Sequence, residues 1–576
     1  MLFPSVHRPR PVHTTFVPAA PACSRDFLTR VLADLRVSYD AAQADVDRIP
    51  KKGPVVVVAN HPFGGVEGMI LADLLGRVRP DVKVMANYLL GRIPELRDLF
   101  FFVDPFGGAG AAASNVGALR QSIKHLEAGG LLVIFPAGEV SALSFKTREV
   151  TDKPWTPMLG RLIARTGATA VPVFFNGRNN ALFQLAGLVH PRLRTALLPR
   201  QILNKQGRLI DVRVGSPISG RRLKEMDSDT AITAYLRHRT YMLRHRGAGE
   251  VGALAAASPT APPARVMKPV VPIGDVSAMA AEVDALPDSA RLVADNDYRV
   301  LLVRPDQAPL LMRELGRLRE ITFRAAGEGT GKSIDLDHFD SHYQHLIVWQ
   351  QAKRELVGAY RLGQVDRIMA ERGIAGLYTY ELFDYRPELL ARVGPALELG
   401  RSFVRPEYQR SFSPLLLLWK GIGKFLVDHP QYRYLIGPVS ISAAYQSTSV
   451  QLMVQFLQLH HGDAAGSAMV SARTPFVAGR VRGWDDRKVS ALARDADDLS
   501  DLVADLETDQ KGVPVLIRQY IKLGAKFLSF NVDHAFNDCV DGLIVVDLAR
   551  ADRKVMERYL TKDGYAAFMK AHAVGV

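Results

Sequence analysis

Apolar and polar positions follow two different rhythms along this chain, and the change of rhythm divides it. In the first 246 residues, short unbroken apolar runs at Val55–Ala59, 131–135 and 170–175 are separated by helical patterns such as 115–128. Runs of that length suit strands buried on both faces, and their alternation with helices predicts an α/β sandwich around a central sheet. After residue 272 the pattern predicts a strand at Tyr298–Val303, an amphipathic helix at 307–324 and strands at 345–349 and 355–362. A strand ending at Leu397, Glu398, Leu399 and Gly400, a helix at 415–428 and a late strand at 542–548 complete a mixed-sheet α/β pattern.

Between these halves, residues 247–272 are rich in Ala, Pro and Gly and poor in aromatics, the composition of a linker. Residues 1–25, broken by prolines and histidines and lacking an apolar core, predict a poorly ordered terminus and no signal peptide. The expected organisation is two domains, 26–246 and 273–576. A length of 576 residues, more than one hydrophobic core usually supports, agrees.

The formal net charge of +14 is unevenly placed: 34 Lys and Arg face 19 Asp and Glu in residues 1–246, against 39 and 40 in residues 247–576. A basic first domain suits an anionic membrane surface or an acidic acyl carrier. There are no zinc-finger cysteine pairs, no RNA-recognition signature and no block of like charge, so no nucleic-acid partner is expected. No apolar run reaches the roughly 18 residues of a spanning helix. Membrane contact is therefore expected to be peripheral. Cys23 and Cys539, far apart and outside any CxxC, point to a reducing cytoplasm with neither a disulfide framework nor a metal.

The run Val55–Ala59 delivers the stretch NHPFGGVEG, residues 60–68. A histidine handed by a strand into a glycine turn, with a carboxylate following at Glu67, is a general base with an orienting group. The second run leads into FPAGEVS, residues 135–141. Together the blocks resemble those of the glycerolipid acyltransferases, usually NHxxxxD and FPEGTRS. The resemblance implies that His61 takes a hydroxyl proton during acyl transfer from a thioester. Glu67 stands one place beyond the family's aspartate, with Gly64 and Gly65 to absorb the extra residue and Asp73 as its rival. Gly138, Glu139 and Ser141 are implied at the acceptor.

The family's phosphate-binding arginine is absent, since Glu139 and Val140 stand where Thr and Arg usually do. Two readings stay open: an acceptor without glycerol phosphate, with Glu139 facing a cationic head group, or a surface Glu139 with Arg148 or Lys146 taking the phosphate. A third block, VPVFFNG at 171–177, resembles the family's late VPV strand and suits a pocket wall or plain core equally. Residues 180–200 mix apolar and basic side chains, as an interfacial helix or one packed on the sheet would. Residues 327–333, GEGTGKS, imitate a phosphate loop, but the motif's first glycine falls on Ala326 and a helical pattern precedes it. A flexible loop over an acyl substrate is expected there instead.

The second half carries Arg319, Thr322, Phe323 and Arg324, then Asp335, Asp337, Asp340 and Tyr343, then Arg361, then Glu398 and Arg401. This order and spacing is similar to the acyl-homoserine-lactone synthases, and closer still to the ornithine N-acyltransferases. The resemblance runs from about Tyr298 to Leu548 and implies a GNAT-like mixed-sheet fold. It implies that Glu398 accepts the amine's proton or binds the ammonium, that Asp337 and Asp340 hold the amine, and that Arg361 or Arg401 pairs with a carboxylate. Arg319 and Phe323 complete the implied substrate set. The segment 409–414, where acetyltransferases cradle a coenzyme A pyrophosphate, has no glycine, which favours a donor on acyl carrier protein.

The order of the halves is similar to that of the bacterial bifunctional ornithine lipid synthases. It implies N-acylation of ornithine by the second domain and O-acylation of the resulting lyso-ornithine lipid by the first. Acyl carrier protein is the implied donor and partner, with no cofactor or metal, at the cytoplasmic face of the inner membrane. The alternatives are an acyltransferase for another aminolipid or a glycerophospholipid, and a membrane-associated hemolysin-like binding or lytic protein.

Overall fold

The computed structural model describes residues 24–104, 111–144, 149–184, 197–247, 267–411, 413–479 and 485–572. The chain divides into two compact units, Met1–Arg244 and His245–Val576. Of the expected disordered terminus, residues 1–23 lie outside the described residues, as do residues 248–266 of the expected linker and 185–196 of the expected interfacial helix.

The first unit has nine described strands: β1 (Ser38–Asp40), β2 (Val55–Ala59), β3 (Val82–Asn87), β4 (Phe100–Val103), β5 (Leu131–Ile134), β6 (Ala142–Ser144), β7 (Glu149–Thr151), β8 (Thr169–Asn176) and β9 (Leu209–Val214). Seven form one sheet in the order β1-β9-β8-β2-β5-β3-β4, and β6 and β7 form a separate pair. All pairings in the large sheet are parallel except β8 with β9. Every side chain of β2 is fully buried, as its unbroken apolar run requires.

Register decides what the sheet presents. β2 pairs with β5 from Val55↔Leu131 to Val58↔Ile134, and with β8 from Val55↔Thr169 to Ala59↔Val173. The parallel strands β2 and β5 therefore end level, and the two motif blocks leave the sheet side by side. From β2 the chain runs on to β3 at one side, and from β5 to β8 at the other. Such divergence opens a crevice beyond the carboxyl ends of the strands.

The second unit has β10 (Arg291–Asp295), β11 (Tyr298–Val303), β12 (Gln344–Gln350), β13 (Glu355–Gln364), β14 (Phe383–Tyr385), β15 (Ala396–Val404), β16 (Tyr434–Ile441), β17 (Val470–Ala472), β18 (Lys526–Asp533) and β19 (Cys539–Asp547). Eight form a sheet in the order β10-β11-β12-β13-β15-β16-β19-β18, antiparallel except for β15 with β16. That parallel pair holds only from Ala396↔Tyr434 to Glu398↔Ile436. Beyond it β15 stays with β13 and β16 with β19, so the sheet parts in its middle. Gly437 stands where the parting begins; a Cβ there would lie 2.1 Å from the Leu399 carbonyl oxygen.

The helix Pro309–Ala325 packs on this sheet through Leu311, Leu315 and Leu318, and the same buried side includes Arg319. Its Glu320 corrects the expectation of a free loop at 327–333. The buried carboxylate accepts from the Thr330 hydroxyl (2.6 Å) and the Gly331 N–H (2.8 Å), so amides a phosphate would need are already bound. The Lys268 and Val271 N–H groups bond to the Gly331 and Ser333 carbonyls at 2.9 and 3.0 Å, which builds the last linker residues into this unit. No helix among the described residues is long and apolar enough to cross a membrane.

Candidate active sites

At the end of β2, Asn60 clamps the chain to β8. Its Nδ2 donates to the Phe175 carbonyl (3.0 Å) and its Oδ1 accepts from the Phe175 N–H (2.7 Å). His61 then leaves the sheet with its ring centroid 4.6 Å from that of Phe135. Gly64 (φ 93°) and Gly65 (φ 156°) turn the chain back through backbone space that side chains resist. The turn returns Glu67, in the first turn of the helix Val66–Gly76, to the histidine.

Glu67 Oε1 lies 3.3 Å from His61 Nδ1. The contact is off the line of a good hydrogen bond, because the carboxylate also accepts the N–H groups of Phe63 (2.5 Å), Gly64 (3.1 Å) and Gly65 (3.0 Å). Glu67 is fully buried, while the His61 side chain keeps 19% exposure. Burial pulls the imidazole pKa down, but Glu67, and behind it Asp152, prevail and raise it above the ordinary 6.5. Burial would likewise raise Glu67, yet His61 and the backbone amides hold it at about 2. A fixed anion beside an imidazole is the arrangement of an oriented general base. Asp73, the rival, accepts instead from Thr29 (2.8 Å), Tyr39 (2.5 Å) and Arg77 (2.7 Å).

A second carboxylate, which the sequence reading missed, joins the two blocks. Asp152 Oδ1 accepts from the Ser141 hydroxyl (2.5 Å) and the His61 N–H (3.2 Å), and Oδ2 from Trp155 Nε1 (2.9 Å). The Ser141 N–H returns a bond to the His61 carbonyl at 2.8 Å. Ser141 is thus a buried tie between the blocks. Gly138, at φ 66°, shapes the preceding turn. Glu139 pairs with Lys153 at 2.8 Å, so the chain itself supplies a cation for it. Lys146 and Arg148, the alternative phosphate ligands, lie outside the described residues.

In the second unit the expected charges converge, largely on one another. Arg319, fully buried, donates to Asp340 at 2.7 Å. Arg361 Nη1 donates to both oxygens of Asp337 at 2.7 and 2.8 Å and stands 3.5 Å from Asp340. Arg401 Nη2 is 3.6 Å from Asp337 and 4.0 Å from Asp335. The guanidinium groups of Arg361 and Arg401 lie 4.6 and 5.2 Å from the Tyr378 ring. Asp337 and Asp340 also close a capping box over His338–Ser341. Burial would raise both aspartates, but Arg361 beside Asp337 and Arg319 beside Asp340 hold them below the usual carboxylate range. Phe323 packs edge-on against Phe403 and Phe536, 6.4 and 5.1 Å between centroids.

Glu398, on the last paired residue before the sheet parts, is buried with both oxygens engaged. One accepts the Thr379 N–H at 2.6 Å, and the other is bonded by the Tyr343 hydroxyl. The fold of this unit adds two further carboxyls, Asp541 and Glu328. Asp541 on β19 accepts from Ser440 on β16 at 2.6 Å, beyond the parting. Burial, and then Asp533 against the Ser440 bond, push Asp541 up to about 7. Half-buried Glu328 is pushed up to about 8 by burial and by Asp541. Nothing in periodicity or spacing marks either residue; only the fold brings them together.

Comparison with known proteins assigns both halves. Residues 13–249 match the family described as Acyltransferase, and residues 318–420 match the Acetyltransferase (GNAT) domain, in agreement with the expected fold class. The chain is 30% identical to glycine Nα-acyltransferase of Bacteroides thetaiotaomicron over 282 residues, 46% of this chain and 82% of that protein. It is 28% identical to L-ornithine Nα-acyltransferase of Brucella abortus, over 39% of this chain and 74% of that protein. It is 26% identical to lyso-glycine lipid O-acyltransferase of Phocaeicola vulgatus, over 30% of this chain and 62% of that protein. The chain is therefore an acyltransferase, a member of the family to which the glycine Nα-acyltransferase of Bacteroides thetaiotaomicron belongs, with two acyltransferase domains in succession.

Proposed function

We propose that this chain makes ornithine lipid by two successive acyl transfers. In the first, the second unit joins a 3-hydroxyacyl group, carried as a thioester on acyl carrier protein, to the α-amine of ornithine. The C–N bond forms, the C–S bond breaks, the amine loses a proton and the carrier thiol departs. Glu398 has both oxygens occupied and acts as a positioning residue, as does buried Asp541, which is bonded by Ser440 and Cys539, whereas half-buried Glu328, pushed up to about 8, is suited to accept that proton.

In the second transfer, His61 takes the proton of the 3-hydroxyl as its oxygen attacks another acyl thioester, and returns it to the departing sulfur. Glu67 holds the imidazole and stabilises its charged form. The product is a phosphorus-free lipid, made by an enzyme bound peripherally to the cytoplasmic face of the inner membrane.

The observation that carries this reading is one chain with a hydroxyl-directed base at His61 and a GNAT domain, similar to relatives named for N-acylation and for lyso-lipid O-acylation. Valine at 140, in place of a phosphate-binding arginine, supports it. The 30% identity to a glycine Nα-acyltransferase favours a second reading, with glycine as the amino acid. The test is mass spectrometry of lipids from a host expressing the chain and fed isotopically labelled ornithine or glycine. Label from ornithine in a new diacylated lipid is the expected result. Label from glycine alone selects the second reading, and no new aminolipid overturns both.

A further inference from the structure

The first unit contains a cavity of about 750 Å³, a size suited to a small-molecule site. Three side chains on its wall are amides with less than a tenth of their surface exposed, and each is anchored at one end only. Asn179 Nδ2 donates to the Phe63 carbonyl at 3.1 Å, leaving Oδ1 without a partner. Gln201 Nε2 donates to Asn180 Oδ1 at 3.2 Å, leaving Oε1 free. Gln184 Oε1 accepts the Leu143 N–H at 3.0 Å, leaving Nε2 free. The anchors fix which atom of each amide is oxygen. Buried polar atoms are nearly always paired, so two acceptors and one donor left unpaired on side chains that line one cavity mark a place where a polar ligand would be held once each amide turns toward it.

Three cations line the same wall: Lys205, Arg178 and Arg208. Lys205 is 4% exposed; its ammonium donates to the Arg178 carbonyl at 3.2 Å and lies 4.5 Å from the Phe63 ring centroid. No carboxylate among the described residues forms an ion pair with any of the three. Phe63 is also the residue whose N–H binds Glu67, so this wall adjoins the His61 turn.

Building on the reading that the first unit acylates a lyso-aminolipid, we propose that this cavity holds the acceptor's head group, an N-acylated amino acid. Its carboxylate pairs with Lys205 and Arg208 and accepts from Gln184, while its amide N–H or side-chain ammonium meets the free oxygens of Asn179 and Gln201. A phosphate monoester, rich in acceptors, would match the cations but leave those two oxygens unmet. The cations take the place of the family arginine missing at Val140, from a different part of the chain.

The test uses the purified full chain with an acyl carrier protein thioester and four acceptors: N-(3-hydroxyacyl)ornithine, the glycine analogue, the ornithine compound with its carboxylate converted to a carboxamide, and lysophosphatidate. Lys205→Met is expected to raise KM for the carboxylate acceptors by ten-fold to a hundred-fold, with a smaller effect on kcat. Arg208→Gln, at an exposed position, is expected to raise it three-fold to ten-fold. The carboxamide should be a poor acceptor on the unaltered chain and insensitive to both changes. Equal losses on carboxylate and carboxamide acceptors would overturn the proposal. Efficient use of lysophosphatidate alone, still sensitive to Lys205→Met, would overturn the aminolipid reading and the head-group assignment together. Use of the aminolipids with no sensitivity at Lys205 or Arg208 would overturn only the assignment of the cavity.

Discussion

The two units handle buried charge in opposite ways. Around His61 an anionic carboxylate is held by backbone amides, and the cation it favours is an imidazole with 19% of its side chain exposed. Around Arg319, Arg361, Asp337 and Asp340 the charges are numerous, buried and mostly spent on each other. The first arrangement leaves an imidazole with part of its surface open. The second leaves a rigid electrostatic frame under the parted sheet. A dense ionic cluster is thus poorer evidence for chemistry than one partly exposed group with a fixed neighbour, because ion pairs that satisfy each other have little left for a substrate.

Four changes break or sharpen this contrast. His61→Ala should lower the rate of O-acylation by roughly 10²-fold to 10⁴-fold while the N-acylated intermediate accumulates, as read by mass spectrometry of the lipids. Preserved diacyl product would remove His61 from the reaction. Asp340→Asn, which strands buried Arg319, should cost about 3–5 kcal/mol in the unfolding of the second unit, measured by denaturant titration. Unchanged stability with a raised KM for the amino acid would turn Asp340 from frame into substrate ligand.

Glu67→Gln should move the acid limb of the O-acylation pH profile. Only neutral imidazole accepts a proton, so activity falls as pH drops through the His61 pKa, which lies above 6.5 in the unaltered chain. Without the carboxylate, burial prevails and the limb moves below 6.5. A limb that stays in place would mean Glu67 does not act on His61. Stability follows the other partner: the contribution of Glu67 is complete above its ordinary 4.5 and is lost as pH falls toward about 2. The smallest effect is expected for Glu139→Gln. It breaks a solvent-exposed pair with Lys153 worth about 0–1 kcal/mol, so kcat/KM should stay within two-fold. A ten-fold loss would restore Glu139 to the acceptor site.

Strands were legible where local pattern suffices: β2 and β11 fall on Val55–Ala59 and Tyr298–Val303, as the apolar runs predict. The meeting of His61 with the second block was legible because adjacent parallel strands place successive motifs together. Asp152 was not, because the hairpin that returns it to Ser141 has no periodic signal. Lys205 comes from beyond the helix Leu198–Leu203 and reaches Phe63 only in three dimensions. Arg319 entered the substrate set through resemblance, and its inward pairing with Asp340 is set by the packing of its helix on the sheet, which spacing along the chain does not reveal. The loop at 327–333 read as free because a carboxylate that binds backbone amides, Glu320, looks like any other helical glutamate.

The turn from Phe63 to Glu67 bears on how such enzymes are found and altered. Its carboxylate is fixed less by its count from the histidine than by the amides that surround it. Swapping Val66 and Glu67 would restore the spacing of the common motif and discard that nest of donors. Kinship at this position is better sought as a carboxylate seated among turn amides beside an imidazole than as a fixed string of letters.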